Sequence, residues 1–182
     1  VGPSNVATGK YGVGMATGSG TVENYGNINV TENNSVGMYA SGSSAKAINR
    51  GTINLKGNDT VGMYIDNHAT GENYGTIQTT PTASGTGIKG VVAKNGGIIK
   101  NYGTINIVGS GNTGVYTDVA SAYQIQGGSS NTSTNASSLG TAVSMTVAEK
   151  SIVKTPAHPS PVSIPIPAVQ AEPLIDSGNV IL

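Results

Sequence analysis

"ENYGNINV", residues 23 to 30, returns as "INRGTINL" at 48 to 55, "ENYGTIQT" at 72 to 79 and "KNYGTINI" at 100 to 107. In the first copy only Ile28 and Val30 are plainly apolar, so the stretch is too polar to be a core by itself. Aligned on the glycine of Asn-x-Gly, the copies place Gly26, Gly51, Gly75 and Gly103 at separations of 25, 24 and 28 residues. A second marker runs through "VGM", "VGM", "VGM", "TGI" and "TGV" and places Gly14, Gly37, Gly62, Gly87 and Gly114 at separations of 23, 25, 25 and 27. Two markers sharing one period of about 25 residues indicate a solenoid.

Within each period the side chains alternate as strands do. Ile53 and Leu55 share one face and Thr52 and Asn54 the other; Ile28 with Val30 and Ile105 with Ile107 repeat this, while Ile77 is followed by Thr79. In "SVGMY" the inward pair reads as Val36 and Met38, and the methionine slot as Met15, Met38, Met63, Ile88 and Val115. A third short strand before the asparagine aligns Val22, Ala47, Gly71 and Ile99. Glycine and asparagine recur too often, and β-branched residues dominate too clearly, for helices. Three short strands and three turns per period make the expected fold all-β: a right-handed parallel β-helix, or β-solenoid, of four to five coils over residues 1 to 126.

One corner of each coil is then the repeated stretch itself. Asn24, Asn49, Asn73 and Asn101 occupy equivalent turns, where a side-chain amide can donate and accept along the stack. The alternative is a solvent-facing turn with ordinary Asx capping. Gly26, Gly51, Gly75 and Gly103 are expected to hold a positive-φ position of that turn. Length variation is expected to collect in the loops 40 to 47, 65 to 72 and 89 to 98, which makes those loops the contact candidates.

Composition agrees with a polar, ordered β-structure: 182 residues, formal charge zero, 36% hydrophobic, 10% charged and 27 glycines. Disorder by composition needs high net charge and few β-branched residues. The absence of cysteine excludes disulfides, cysteine–zinc sites and thiol nucleophiles. No basic patch suits nucleic acid, and no apolar run of roughly 18 residues would cross a membrane as a helix. The chain opens inside the pattern at "VGPSNVATG" and reads as a piece of a longer protein.

Beyond residue 126 the pattern stops. Residues 127 to 141 read as a flexible Gly/Ser/Thr/Asn loop and 142 to 155 as a further strand pair. Residues 156 to 173 hold six of the eight prolines and read as an extended strap or linker, and 174 to 182 as the start of another coil.

The repeated unit resembles the passenger repeats of the large autotransporter adhesins of fusobacteria and their relatives. The likeness runs through Gly12 to Ala16, Ser35 to Tyr39, Asn49 to Leu55, Thr60 to Tyr64, Asn73 to Ile77, Asn101 to Ile107 and Thr113 to Tyr116. It implies a type V-secreted passenger on the bacterial cell surface, followed in the full-length chain by more passenger and an outer-membrane barrel. Its implied role is adhesion to a host-cell or bacterial surface protein or glycan. No catalytic residue carries over.

Residues suited to catalysis or metal binding are sparse. His68 and His158 lie far apart without partners at metal-ligand spacing, and the turns lack the recurrent Asp of calcium-binding coils. Asp59, Asp66 and His68 gather around one turn and loop. The slot before the asparagine reads Glu23, Ile48, Glu72 and Lys100, so two carboxylates stand one whole coil apart, roughly 10 Å, near the upper limit for an inverting glycosidase. A polysaccharide-degrading β-helix enzyme is therefore one alternative, although Ile48 intervenes; a trimeric adhesin head is another, although its repeat is shorter. Non-enzymatic structure and adhesion, with no cofactor or metal, is the favoured reading. The partner-binding candidates are Asp66 and His68 together with two aromatic columns: Tyr25, Arg50, Tyr74 and Tyr102, and Tyr39, Tyr64 and Tyr116 with Lys89 interrupting. Such columns either shield the stack or bind sugar rings and protein.

Overall fold

The computed structural model describes residues 1–126, together with the backbone of two further strands at 131–134 and 151–153. Five coils follow one another. The first holds β1 (Val13–Thr17), β2 (Gly20–Asn24) and β3 (Asn27–Val30); the second β4 (Val36–Ser41), β5 (Ala45–Asn49) and β6 (Thr52–Leu55). The third holds β7 (Val61–Asp66), β8 (Thr70–Asn73) and β9 (Thr76–Thr79); the fourth β10 (Lys89–Ala93), β11 (Ile98–Asn101) and β12 (Thr104–Ile107). The fifth has β13 (Thr113–Thr117), β14 (Ala122–Ile125) and β15 (Asn131–Thr134). Equivalent strands pair in parallel to make three sheets, β1-β4-β7-β10-β13, β2-β5-β8-β11-β14 and β3-β6-β9-β12-β15. The chain is a parallel β-solenoid.

Each strand contributes few apolar residues because only one face of a thin coil is inside. Ile28, Ile53, Ile77 and Ile105 form one buried column, and Ala47, Gly71, Ile99 and Tyr123 another that the half-buried Val22 begins. Volume is traded between facing columns. Ile65 meets Gly71, where an added Cβ would lie 2.6 Å from Ile65 Cγ1, whereas in the next coil Ala93 is small and Ile99 large.

The sheet-one strands depart from simple alternation. Met38 and Ala40 point inward and are fully buried, while Val36 is only half-buried on the outer face with Tyr39. Expecting Val36 inside was wrong because the glycine bends the strand: a Cβ on Gly37 would stand 2.9 Å from Ile53 Cγ2, so its own backbone faces the core. Paired positions skip this glycine in every ladder of the sheet.

The fourth coil corrects the sequence frame. Val61 pairs with Lys89 and Met63 with Val91, so Gly90, not Gly87, continues the series Gly14, Gly37, Gly62 and Gly114. The methionine slot accordingly ends Val91, Val115. Gly87 instead joins a turn column with Asn34, Asp59 and Gly111, all left-handed at φ 73°, 58°, 54° and 77°. Backbone bonds of 2.8, 2.9 and 3.1 Å link that column from coil to coil. With this register Gly75 to Gly90 spans 15 residues where the equivalent segments of the other coils span 11. Extra length therefore falls at the turn after β9, and 40 to 47, 65 to 72 and 89 to 98 are mostly strand around tight corners.

Asn131–Thr134 pairs in parallel with β12 and lies inside the stretch read as a loop. The open edge of β12 offers backbone partners to any extended segment, so hydrogen bonding outweighs the weak β-propensity of Asn and Ser. β16 (Ser151–Val153) pairs antiparallel with β14. The rest of 127–182, including the proline-rich strap and the terminal coil start, lies outside the described residues.

Candidate functional site

The asparagine corner is a continuous hydrogen-bonded ladder inside the coil. Asn24 Nδ2 donates to Asn49 Oδ1, Asn49 to Asn73 and Asn73 to Asn101, each at 2.8 Å. Asn101 Nδ2 then donates to the Tyr123 hydroxyl at 3.0 Å. Each amide also serves its own turn, as in Asn73 Nδ2 to Gly75 O at 3.2 Å. Asn49, Asn73 and Asn101 are fully buried, so the ladder satisfies groups that water cannot reach. Tyr123, buried at the position of Ile99, was missed as a ladder residue. The misleading signal was an ordinary-looking Tyr two residues before Ile125, which occupies the asparagine slot.

The glycines of that corner do not carry positive φ. Three of the four are small for a different reason: a Cβ on Gly51 would stand 2.0 Å from Gly26 O, on Gly75 2.0 Å from Gly51 O, and on Gly103 2.1 Å from Gly75 O. Successive corners touch backbone to backbone, and the coil spacing leaves no room for a methyl group. Positive φ occurs at other corners, including Asn67, His68 and Asn95.

Outside the ladder lies the first aromatic column. Tyr74 and Tyr102 stack with ring centroids 4.3 Å apart and planes 8° from parallel, and the Arg50 guanidinium sits 4.6 Å from the Tyr74 centroid. Tyr25, 71% exposed, donates its hydroxyl to Glu23. Tyr74 donates to Glu72 Oε1 at 3.2 Å, and Lys46 Nζ lies 3.1 Å from Glu72 Oε2. Arg50 Nε stands 3.8 Å from Glu23 Oε1. The two carboxylates of the enzyme alternative thus each hold a phenol and a cation.

This packing raises the Tyr74 phenol to about 12, first because the stack strips water from it and then because the Glu72 carboxylate repels a phenolate. The Tyr25 phenol is also raised, chiefly by its bond to Glu23. A folded-state value above the ordinary 10.0 means the contribution is fully present below pH 10 and is lost as pH climbs toward 12. Phenolate absorbance should accordingly show a tyrosine titrating near 12 in the folded protein, later than the other raised phenols, and Tyr74→Phe should remove that last component.

The second aromatic column lies on the outer face of sheet one. Tyr39 and Tyr64 lie 5.6 Å apart at 53°, and Val92 rather than Lys89 separates Tyr64 from Tyr116. Lys89 belongs to the neighbouring column of Val13, Val36 and Val61. Between these columns runs an open trough of about 530 Å³, lined also by Tyr11, Asn34, Asp59 and Asp66. Burial, and then the nearby Asp66 carboxylate, raise the Tyr64 phenol. Asp59 and Asp66 flank opposite ends of β7, whereas His68 is exposed at the next corner, its ring against Gly96. Asp66 Oδ1 accepts from Asn95 Nδ2 at 2.7 Å. Among the described residues no three His, Asp or Glu side chains gather as metal ligands, and no helix is long and apolar enough to cross a membrane.

Comparison with known proteins gives one likeness. Residues 3–76 match the family model described as the BigA third pectate lyase-like domain. The match spans less than half of the chain and takes in the first two coils and most of the third. It supports a pectate lyase-like β-helix and does not extend to the fusobacterial proteins whose repeats the sequence resembles. No curated protein and no solved structure matches the chain.

Proposed function

We propose that this chain is a non-enzymatic segment of a bacterial surface passenger of the autotransporter type, a rigid solenoid that holds its outer faces toward a host-cell or bacterial partner. The observation that carries this reading is the buried Asn24-to-Tyr123 ladder, which ties all five coils along one corner into a single stiff unit. The likeness of residues 3–76 to a BigA pectate lyase-like domain supports the solenoid's membership among such passengers. The fusobacterial kinship remains part of the proposal on the strength of the repeat alone.

Beads coated with the purified chain should attach to epithelial cells or to bacteria, and soluble chain should compete them off. Attachment no greater than that of albumin-coated beads would leave the segment as a spacer. The same pectate lyase-like description also raises a polysaccharide-cleaving reading, with Glu23 and Glu72 as the carboxylates. The ties of both to Tyr and basic side chains favour structure over catalysis. Incubation with polygalacturonate and a polysaccharide panel should therefore release no product. Cleavage abolished by Glu72→Gln would turn the assignment to an enzyme.

A further inference from the structure

The trough on sheet one has a chemistry that the scaffold does not need. Its floor is the valine column Val13, Val36 and Val61, and Tyr39 and Tyr64 stand along one side. Asp59 lies at the turn on the other side and Asp66 at the far end of β7. The ion pairs among the described residues, Lys46 with Glu72 and Arg50 with Glu23, are on a different sheet. Lys89, next in the valine column, turns its ammonium to the Gly87 carbonyl 3.2 Å away. An apolar floor, two tilted phenol rings and two carboxylates of one sign complement a side chain that is aliphatic along its stem and cationic at its tip.

We infer that this trough binds an extended peptide segment bearing lysine or arginine between apolar residues, on a partner protein. The inference rests on the surface-passenger reading and names the chemistry of its partner. The stem of the cationic residue lies on the valines beside the rings, and its charge meets Asp59 or Asp66. Protein is favoured over a neutral glycan because a sugar hydroxyl brings the trough's two carboxylates a hydrogen-bond donor alone, whereas an ammonium or guanidinium brings donors and the complementary charge.

The test is fluorescence anisotropy of the full chain with a labelled, end-blocked peptide Val-Lys-Val-Lys-Val, beside the same peptide with Glu for Lys. The lysine peptide should bind at least about tenfold more tightly, and salt near 0.5 M should remove most of that preference. The double variant Asp59→Asn, Asp66→Asn should lose about tenfold in affinity for the lysine peptide. It should fold normally: Asn34 already occupies the left-handed position equivalent to Asp59, and an amide oxygen at 66 can still accept from Asn95. Equal binding of the two peptides, no binding of the lysine peptide at millimolar concentration, or unchanged affinity in the double variant would each overturn the inference. Bead attachment separates the two levels. Peptide binding without cell attachment defeats the surface-adhesion reading alone, and cell attachment undiminished in a chain that ignores the peptide defeats the trough alone.

Discussion

Replacing Gly75 by alanine should destabilise the solenoid by about 3–5 kcal/mol, combining overpacking with lost backbone hydrogen bonds. The new Cβ would sit 2.0 Å from Gly51 O, 2.9 Å from Arg50 C and 3.0 Å from Arg50 O, all main-chain atoms that no rotamer change can move. Relief requires the third corner to lift from the second. At that corner the Asn49 carbonyl accepts both Tyr74 N, at 2.7 Å, and Gly75 N, at 3.1 Å, and Gly51 O accepts Thr76 N at 2.9 Å. A loss of this size should lower the thermal midpoint by roughly 10 °C. The internal control is the same substitution at Gly26, where nothing lies within 4 Å of the added atom and φ is not positive. Gly26→Ala should stay within about 0.5 kcal/mol of the parent. Equal effects at the two positions would show that the glycine serves local turn conformation and not coil-to-coil contact.

Asn73→Ala should cost about 3 kcal/mol, because two good amide hydrogen bonds disappear and their partners stay buried. Asn73 accepts from Asn49 and donates to Asn101, and also donates to its own turn at Gly75 O. The remaining partners compensate poorly: Asn49 Nδ2 keeps Gly51 O at 3.2 Å and Thr76 O at 3.4 Å, and Asn101 Oδ1 keeps Gly103 N at 3.3 Å. Asn54→Ala is the comparison that isolates burial. Asn54 belongs to an outward ladder, donating to Asn29 Oδ1 at 2.9 Å and accepting from Gln78 Nε2 at 3.0 Å. Water replaces those bonds, so its loss should cost no more than about 1 kcal/mol. Urea unfolding followed by circular dichroism checks both. If Asn54→Ala proved as damaging as Asn73→Ala, ladder bonding as such, and not its burial, would be the stabilising element.

Much of the architecture was legible because a solenoid writes its geometry into the chain period. Ile28, Ile53, Ile77 and Ile105 recur since each coil must offer the same inward slot to its neighbours. The asparagines recur since one amide's donor needs the next amide's acceptor. The candidate trough was only half legible: Tyr39, Tyr64, Asp59 and Asp66 stood out by type, but Val36 beside them read as core. Alternation in a straight strand puts Val36 inside, and only the bend at Gly37 turns it out.

By itself, the sequence determined the class of fold, a period of about 25 residues and which asparagines share a corner, because these follow from periodicity; that the corner is buried and that a fifth coil is completed by Asn131–Thr134 came from the tertiary structure. Tertiary structure decided the register of the fourth coil, where "TGI" and "KGV" compete as markers and the pairing of Val61 with Lys89 selects Gly90. It also decided why the corner glycines are glycines. Dihedral preference is a local property that a sequence can suggest, whereas the packing that would put a Cβ at residue 75 only 2.0 Å from Gly51 O exists only once one coil rests on another.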